Sequence, residues 1–221
     1  MSFDSLHLEH VSTVERAAEE LRRAVFEGEL ESGTPLREVA LADSLGVARS
    51  TVREALGILV AEGLATREPH RGVAVASPDP DSITDVSRAR AVLELAGVRH
   101  WPTATEEDRG AVRDALAAYE RAVAERASYM RLNSLHLDIH LSLVGLTGSP
   151  RLVAMAASLA AELRLALAQI DRIRRNAQDQ AGAHHHLLEL LESGDVDAAA
   201  AELEEHLAGA ETAFLERLDL T

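Results

Sequence analysis

The chain has 221 residues, with 22 basic side chains, all arginine, against 37 acidic ones, for a net charge of −15 at pH 7. That balance excludes a non-specific polyanion binder, and the absence of cysteine excludes disulfides, thiolate metal sites and a cysteine nucleophile. Its apolar runs are far too short to cross a bilayer and Met1–Glu9 has neither the basic start nor the apolar stretch of a signal peptide, so a soluble, cytoplasmic protein of one or two domains is expected.

Met1–Val11 is polar and without a clear period, which predicts partial disorder. Ser12 or Thr13 can cap a helix running to about Glu27, whose stripe Val14, Ala17, Ala18, Leu21, Ala24 and Val25 repeats at three and four residues. Gly28–Gly33 ends it, and Thr34-Pro35-Leu36 fits a short extended piece, because a residue before proline is pushed towards β. Arg37–Leu45 then predicts a short helix carrying Val39, Leu41, Ala42 and Leu45 at near-helical spacing. Gly46 supplies the residue that tolerates a positive φ in a helix-turn-helix.

A second helix over about Arg49–Glu62 is expected to bury Val52, Leu56, Leu59 and Val60 while leaving Arg49, Ser50, Thr51 and Arg53 near its N-terminus. That is the end a recognition helix places in the DNA major groove, where arginine pairs bidentately with guanine O6 and N7 and small hydroxyls reach bases or phosphates. Leu64–Glu68 and Gly72–Ala76 read as two strands joined by Pro69-His70-Arg71, a wing whose tip would lie over the minor groove or the backbone. Residues 1–77 hold eight arginines against thirteen acidic residues, so DNA contact must come from local placement. The expected DNA set is Arg37, Arg49, Ser50, Thr51, Arg53, His70, Arg71 and Gly72, with Arg67 close by.

Ser77–Asp81, with two prolines and two aspartates, reads as a semi-rigid linker between a DNA-binding domain over 1–76 and a second domain over 82–221. From Ser82 onward the pattern is helical throughout. Expected helices are Ser82–His100, Thr105–Arg126, Ser128–Leu146, Ser149–Arg174, Gln178–Glu192 and Val196–Leu218, with short links that imply an antiparallel bundle of about six helices. The fold class is therefore mostly α, with one small β-hairpin.

Ten histidines are many for this length. His136 and His140 are four apart, so their rings lie one turn apart on one helix face. His184 shares a stripe with Leu187, Leu188 and Leu191, and His206 shares one with Leu203, Leu207 and Ala210. His185 and His186 are rotated by about 100° and 200° from His184 and face elsewhere. Four converging imidazoles in an apolar interior suggest a divalent transition metal, although each histidine taken singly also fits a core residue hydrogen-bonded to backbone. Spacing alone leaves that choice open.

The run Gly46–Leu56, with Glu62-Gly63-Leu64 and Arg71-Gly72-Val73, resembles the winged helix-turn-helix of the GntR family of bacterial transcription regulators. Upstream, Gly28-Glu29-Leu30, Gly33, Leu36-Arg37-Glu38 and Leu41-Ala42 extend the resemblance to about Val14–Val75. Ala48 and Thr51 depart from the Ser or Thr and the Pro frequent there. The second domain resembles the FCD ligand-binding domain of the FadR-like branch, through Arg90 and Glu94, through His140 followed by Gly148-Ser149-Pro150-Arg151-Leu152, and through His184, Asp195 and His206.

In metal-binding members of that branch an Asp and three His hold the ion. The resemblance puts His140, His184 and His206 on the three His positions and His136 where the Asp stands, while Asp138 would point to another face. Loss of the carboxylate favours zinc, with nickel or copper compatible, over harder ions. The resemblance also makes Arg90 the candidate effector-binding residue, against the alternative of a salt bridge to Glu94, four residues on.

The expectation is a homodimeric DNA-binding regulator that reads a near-palindromic double-stranded operator. A small organic acid in a metal-containing pocket would control it. The alternatives are a metal-responsive regulator without an organic effector and a metal-dependent hydrolase. An HExxH motif is absent, and no general base is obvious beside the histidines.

Overall fold

The computed structural model describes residues 12–68, 71–77, 79–174 and 176–218, in two compact units divided after Ser77. Met1–Val11 and the wing-tip residue His70, both given expectations above, lie outside the described residues. In the first unit α1 covers Thr13–Phe26, α2 Glu38–Leu45, α3 Arg49–Ala61, β1 Ala65–Glu68 and β2 Gly72–Val75. Ser12 caps α1 by accepting from the Glu15 N–H at 3.1 Å. Gly46 closes α2 at φ 65°, and its N–H donates to the Ala42 carbonyl, a left-handed cap that glycine adopts without penalty.

α1 packs Ala17, Ala18, Leu21, Ala24, Val25 and Phe26 inward, and the Arg22 guanidinium donates twice to Glu62 at the end of α3, at 3.0 and 2.7 Å. α3 buries Val52, Ala55, Leu56 and Leu59. Val60, expected in that set, is only half-buried, because Ala55 rather than Val60 completes the stripe begun by Val52, Leu56 and Leu59. β1 and β2 pair antiparallel from Ala65 with Val75 to Glu68 with Gly72. The extended piece at Pro35 bridges Ala74, with the Leu36 N–H donating to the Val73 carbonyl at 2.8 Å and the Val75 N–H to Thr34 at 3.0 Å. The wing is thereby tied to the segment that leads into α2.

The second unit contains, among the described residues, α4 Pro80–His100, α5 Glu106–Ala124, α6 Tyr129–Gly145, α7 Pro150–Arg174, α8 Ala177–Ser193 and α9 Val196–Leu218, with a single 3-10 turn at Trp101–Thr103. The expected linker is shorter than its composition suggested. Asp79 accepts from the Ser82 N–H at 3.0 Å as N-cap, Pro80 takes the first helical position and Asp81 lies in the first turn, so these three residues start α4.

α6 is the helix the bundle closes around. Its Leu143 belongs to a core with Leu95, Val98, Leu191 and Leu203; its Leu137 to one with Ile83, Val86 and Leu163; its Ile139 to one with Leu116, Tyr119 and Ala181. α4 crosses α6 at Gly97, where an added Cβ would stand 1.9 Å from the Leu143 carbonyl oxygen. The missing side chain lets the two backbones touch, and the residues one turn before Gly97 are drawn against the histidine turn of α6.

Candidate functional site

Because α6 faces neighbours on several sides, His136 and His140 are both 3% exposed, and His184 of α8 is equally buried. His206 joins them from the inward stripe of α9, half-buried. One ring nitrogen from each of the four lies within 4.8 Å of the others. The His140 Nε2 is 3.2 Å from the His136 Nε2 and 3.3 Å from the His184 Nε2. His206 stacks on His140 with centroids 5.3 Å apart and meets His184 edge-on at 4.5 Å. His185 and His186 are exposed and meet the carboxylates of Glu120 and Glu189 on the outside of the bundle. Asp138 is exposed on another face of α6.

The outer nitrogens decide what the inner ones present. The His140 Nδ1 lies 2.7 Å from the Glu94 Oε2, and the His184 Nδ1 lies 2.7 Å from the Gln180 carbonyl oxygen. The Gln180 carbonyl can only accept, so the His184 Nδ1 carries the proton and its Nε2 turns a lone pair inward. An ionised Glu94 sets His140 in the same way, and the two Nε2 lone pairs then face each other. Two imidazole lone pairs 3.3 Å apart repel unless something electrophilic sits between them. A tetrahedral ion with metal–nitrogen bonds of about 2.0–2.1 Å sets its ligand atoms about 3.3–3.4 Å apart, which the His136–His140 and His140–His184 spacings match.

Glu94 links this cluster to Arg90. The Arg90 Nε donates to the Glu94 Oε1 at 2.8 Å, both side chains are buried, and the Arg90 Nη2 finds no hydrogen-bond partner among the described residues. Asn133, one turn before His136 on α6 and 1% exposed, has both amide atoms unpartnered among the described residues. Burial pushes the Glu94 carboxyl upward, opposed by the charge and hydrogen bond of Arg90. Sequence reasoning weighed Glu94 only as a partner for Arg90 and passed over Asn133. The signal for Asn133 was present, since it precedes His136 and His140 by three and seven residues on the same face.

Burial, reinforced by His136 and Arg90 and opposed by Glu94, holds His206 down to about 4 from an ordinary value of 6.5. Burial also lowers His140 and His184 well below that value. Each ring stays neutral in the folded chain and gains its proton on unfolding, so between about pH 6.5 and 4 the unfolded state binds more protons. Stability is intact above that window and falls as the pH drops through it, by on the order of 3 kcal/mol for His206 alone. Thermal melts of chelator-treated protein should hold above pH 6.5 and drop steeply towards pH 4. A flat profile would mean that the imidazoles are not buried as neutral groups.

In the first unit Arg49 begins α3 and is 63% exposed, with Ser50 exposed and Thr51 half-buried beside it. Arg37 is the exposed residue before α2, Arg67 is exposed on β1, and Arg71 pairs with Glu68 at 3.3 Å next to Gly72 at the start of β2. Arg53 does not stand free. Its Nε and Nη2 donate to the two carboxylate oxygens of Glu38 in α2 at 2.9 and 2.7 Å, a partnership not anticipated from the sequence.

The pattern described as bacterial regulatory proteins of the gntR family matches residues 13–75, and that of the FCD domain matches residues 85–209. The Nta operon transcriptional regulator of Aminobacter aminovorans is 30% identical over 176 residues, 79% of this chain and 81% of that protein. The chain belongs to the GntR family. The pairing of its two domains is that of the FadR-like branch. This GntR protein is also similar to the gluconate operon transcriptional repressor of Bacillus subtilis, 39% identical over 87 residues, which cover 39% of this chain and 35% of that one. A crystal structure of a GntR transcriptional regulator from Rhodococcus sp. RHA1 shares its fold at a TM-score of 0.73 and 29% identity, covering 93% of this chain and 99% of the other. The chain is a DNA-binding transcription regulator. The hydrolase alternative falls away, because its families and relatives are regulators and not enzymes. Among the described residues no helix is long and apolar enough to cross a membrane.

Proposed function

We propose that this GntR regulator works as a homodimer on a near-palindromic operator and that a small organic acid bound in its helical unit controls its hold on DNA. His136, His140, His184 and His206 hold one transition metal, with zinc favoured and nickel or copper compatible, since all four donors are imidazoles. The observation that carries the metal is the convergence of four imidazole nitrogens, with the outer nitrogens of His140 and His184 taken up by Glu94 and the Gln180 carbonyl. Bound there, the ion would tie α6, α8 and α9 together.

For the acid, the support is the buried Arg90 Nη2, whose N–H groups have no acceptor among the described residues. Leaving buried donors unpaired costs roughly 1–3 kcal/mol each, and a carboxylate would relieve that cost. Asn133, one turn before His136, has an amide donor and acceptor likewise without partners among the described residues. Repressor action, the role named for the Bacillus subtilis relative, fits a head that releases DNA when the acid binds. Gel-shift titration of operator DNA against a panel of small carboxylates, with Arg90→Ala as control, tests this reading. Release by none of them in the metal-loaded protein would overturn it.

One observation favours the second reading, in which the ion itself is the signal. Four imidazoles complete a four-coordinate shell without any outside ligand, as in sites that are closed rather than open. Operator affinity that follows metal concentration in the absence of any acid would establish it.

On the DNA side, Arg49→Ala and Arg53→Ala are each expected to weaken operator binding by about 1–3 kcal/mol. Arg71→Ala should act less and more evenly across sequences, as a backbone contact does. Fluorescence anisotropy on operator and unrelated duplexes measures all three. Full affinity in a folded Arg49→Ala/Arg53→Ala double variant would refute the assignment of α3 as the reading helix.

A further inference from the structure

Glu38 is a carboxylate set among the arginines of a surface meant for DNA. It occupies the first turn of α2, where the helix dipole favours a negative charge. Its two oxygens take the Nε and Nη2 of Arg53 at 2.9 and 2.7 Å, and the Arg49 Nη2 stands 4.0 Å from one of them. The hydrogen bonds from Arg53, then the charges of Arg53, Arg49 and Arg67, hold its carboxyl below the usual range against the desolvation that would raise it. An ordinary exposed ion pair contributes little to stability, so the interest of this one lies in what it does to Arg53.

A guanidinium has five N–H groups in a fixed plane. Glu38 takes one edge, the Nε and one N–H of Nη2, which leaves the far edge, Nη1 and the other N–H of Nη2, uncommitted on a side chain that is 59% exposed. That remaining fork matches the O6 and N7 acceptors of guanine. The side chain meets the base already oriented, so less rotamer freedom is lost on binding. The same carboxylate weakens the pull of the surface on phosphates, which is the force that drives non-specific binding.

We propose that Glu38 is a specificity-determining residue for DNA, buttressing Arg53 for end-on reading of a guanine and holding off duplexes that lack that guanine. The proposal rests on the reading of α3 as the helix that enters the major groove.

The test uses the full-length protein, with an operator selected by the wild type from random-sequence duplexes and an unrelated duplex of equal length. Glu38→Gln is expected to weaken operator binding about 10-fold and to strengthen binding to the unrelated duplex about 3-fold. The log–log salt slope on the unrelated duplex should steepen by about one. In an Arg53→Ala background, Glu38→Gln should no longer weaken operator binding. A discrimination ratio left unchanged, or equal losses on both duplexes, would overturn the proposal. Should Glu38→Gln fail to fold, Glu38→Asp keeps the charge but shortens the reach. It is expected to lose operator affinity without gaining on unrelated DNA, and an unchanged operator affinity there overturns the proposal equally. A wild type that selects no sequence at all would instead refute the reading of α3, a result distinct from failure at Glu38.

Discussion

Protein purified without an affinity tag or chelator is expected to carry one transition-metal ion per chain, and His140→Ala to carry none. His140 is the hub of the cluster, with its Nε2 3.2 Å from the His136 Nε2 and 3.3 Å from the His184 Nε2. Its Nδ1 is held by Glu94, so ring orientation and tautomer are set before any ion arrives. Alanine removes the central donor and strands the Glu94 oxygen that it had satisfied. Elemental analysis gives the stoichiometry directly. Chelation of the wild type should lower its Tm, because a ligand that binds only the folded state at 100 to 1,000 times its Kd stabilises that state by about 3–4 kcal/mol. Metal should also be released at acid pH, where imidazole must give up a ligand bond to take a proton. His185→Ala should change neither content nor Tm shift, since that ring is exposed and bonded to Glu120 on the outer face of α8. Operator binding by the first unit should survive His140→Ala, with the response to acid lost. A metal-free wild type that still responded to its acid would leave a hydrogen-bonding histidine pocket in place of a metal centre.

What could be read in advance followed from short-range rules. Gly46 ends a helix at positive φ, because that preference is carried by a single residue. The facing of His136 with His140 is likewise a matter of four-residue spacing. The features that were not legible join residues far apart in sequence. Glu38 and Arg53 are fifteen positions apart on different helices, and Glu94 and His140 are forty-six apart. No periodicity relates such pairs. They meet because α2 packs on α3 and α4 on α6, and only the packing says which carboxylate reaches which base. The linker was misjudged for the opposite reason: Asp and Pro suit both a turn and a helix start, and composition does not choose between them. Val60 falls at the edge of the buried stripe of α3, which Val52, Ala55, Leu56 and Leu59 make up.

Gly97→Ala is expected to destabilise the helical unit by about 1–2 kcal/mol or more and to disable its histidine centre at the same time. In most helix interiors that exchange stabilises, by up to about 1 kcal/mol, since alanine is the better helix former. At Gly97 the new Cβ would stand 1.9 Å from the Leu143 carbonyl oxygen and 2.7 Å from its carbon, and both are backbone atoms that cannot rotate aside. α4 must therefore move away from α6, an overpacking strain of about 1–3 kcal/mol or more that outweighs the gain in propensity. Glu94 lies one turn before Gly97 and moves with it, so its 2.7 Å bond to the His140 Nδ1 lengthens and the ring loses the partner that sets its tautomer. Gly110, inside α5 with nothing within 4 Å of its would-be Cβ, provides the control. Gly110→Ala should stabilise slightly and leave metal affinity unchanged. Urea denaturation of both variants, followed by metal titration of the folded proteins, separates the effects. A Gly97→Ala protein with wild-type stability and metal affinity would show that the close crossing of α4 and α6 is not what brings Glu94 to His140.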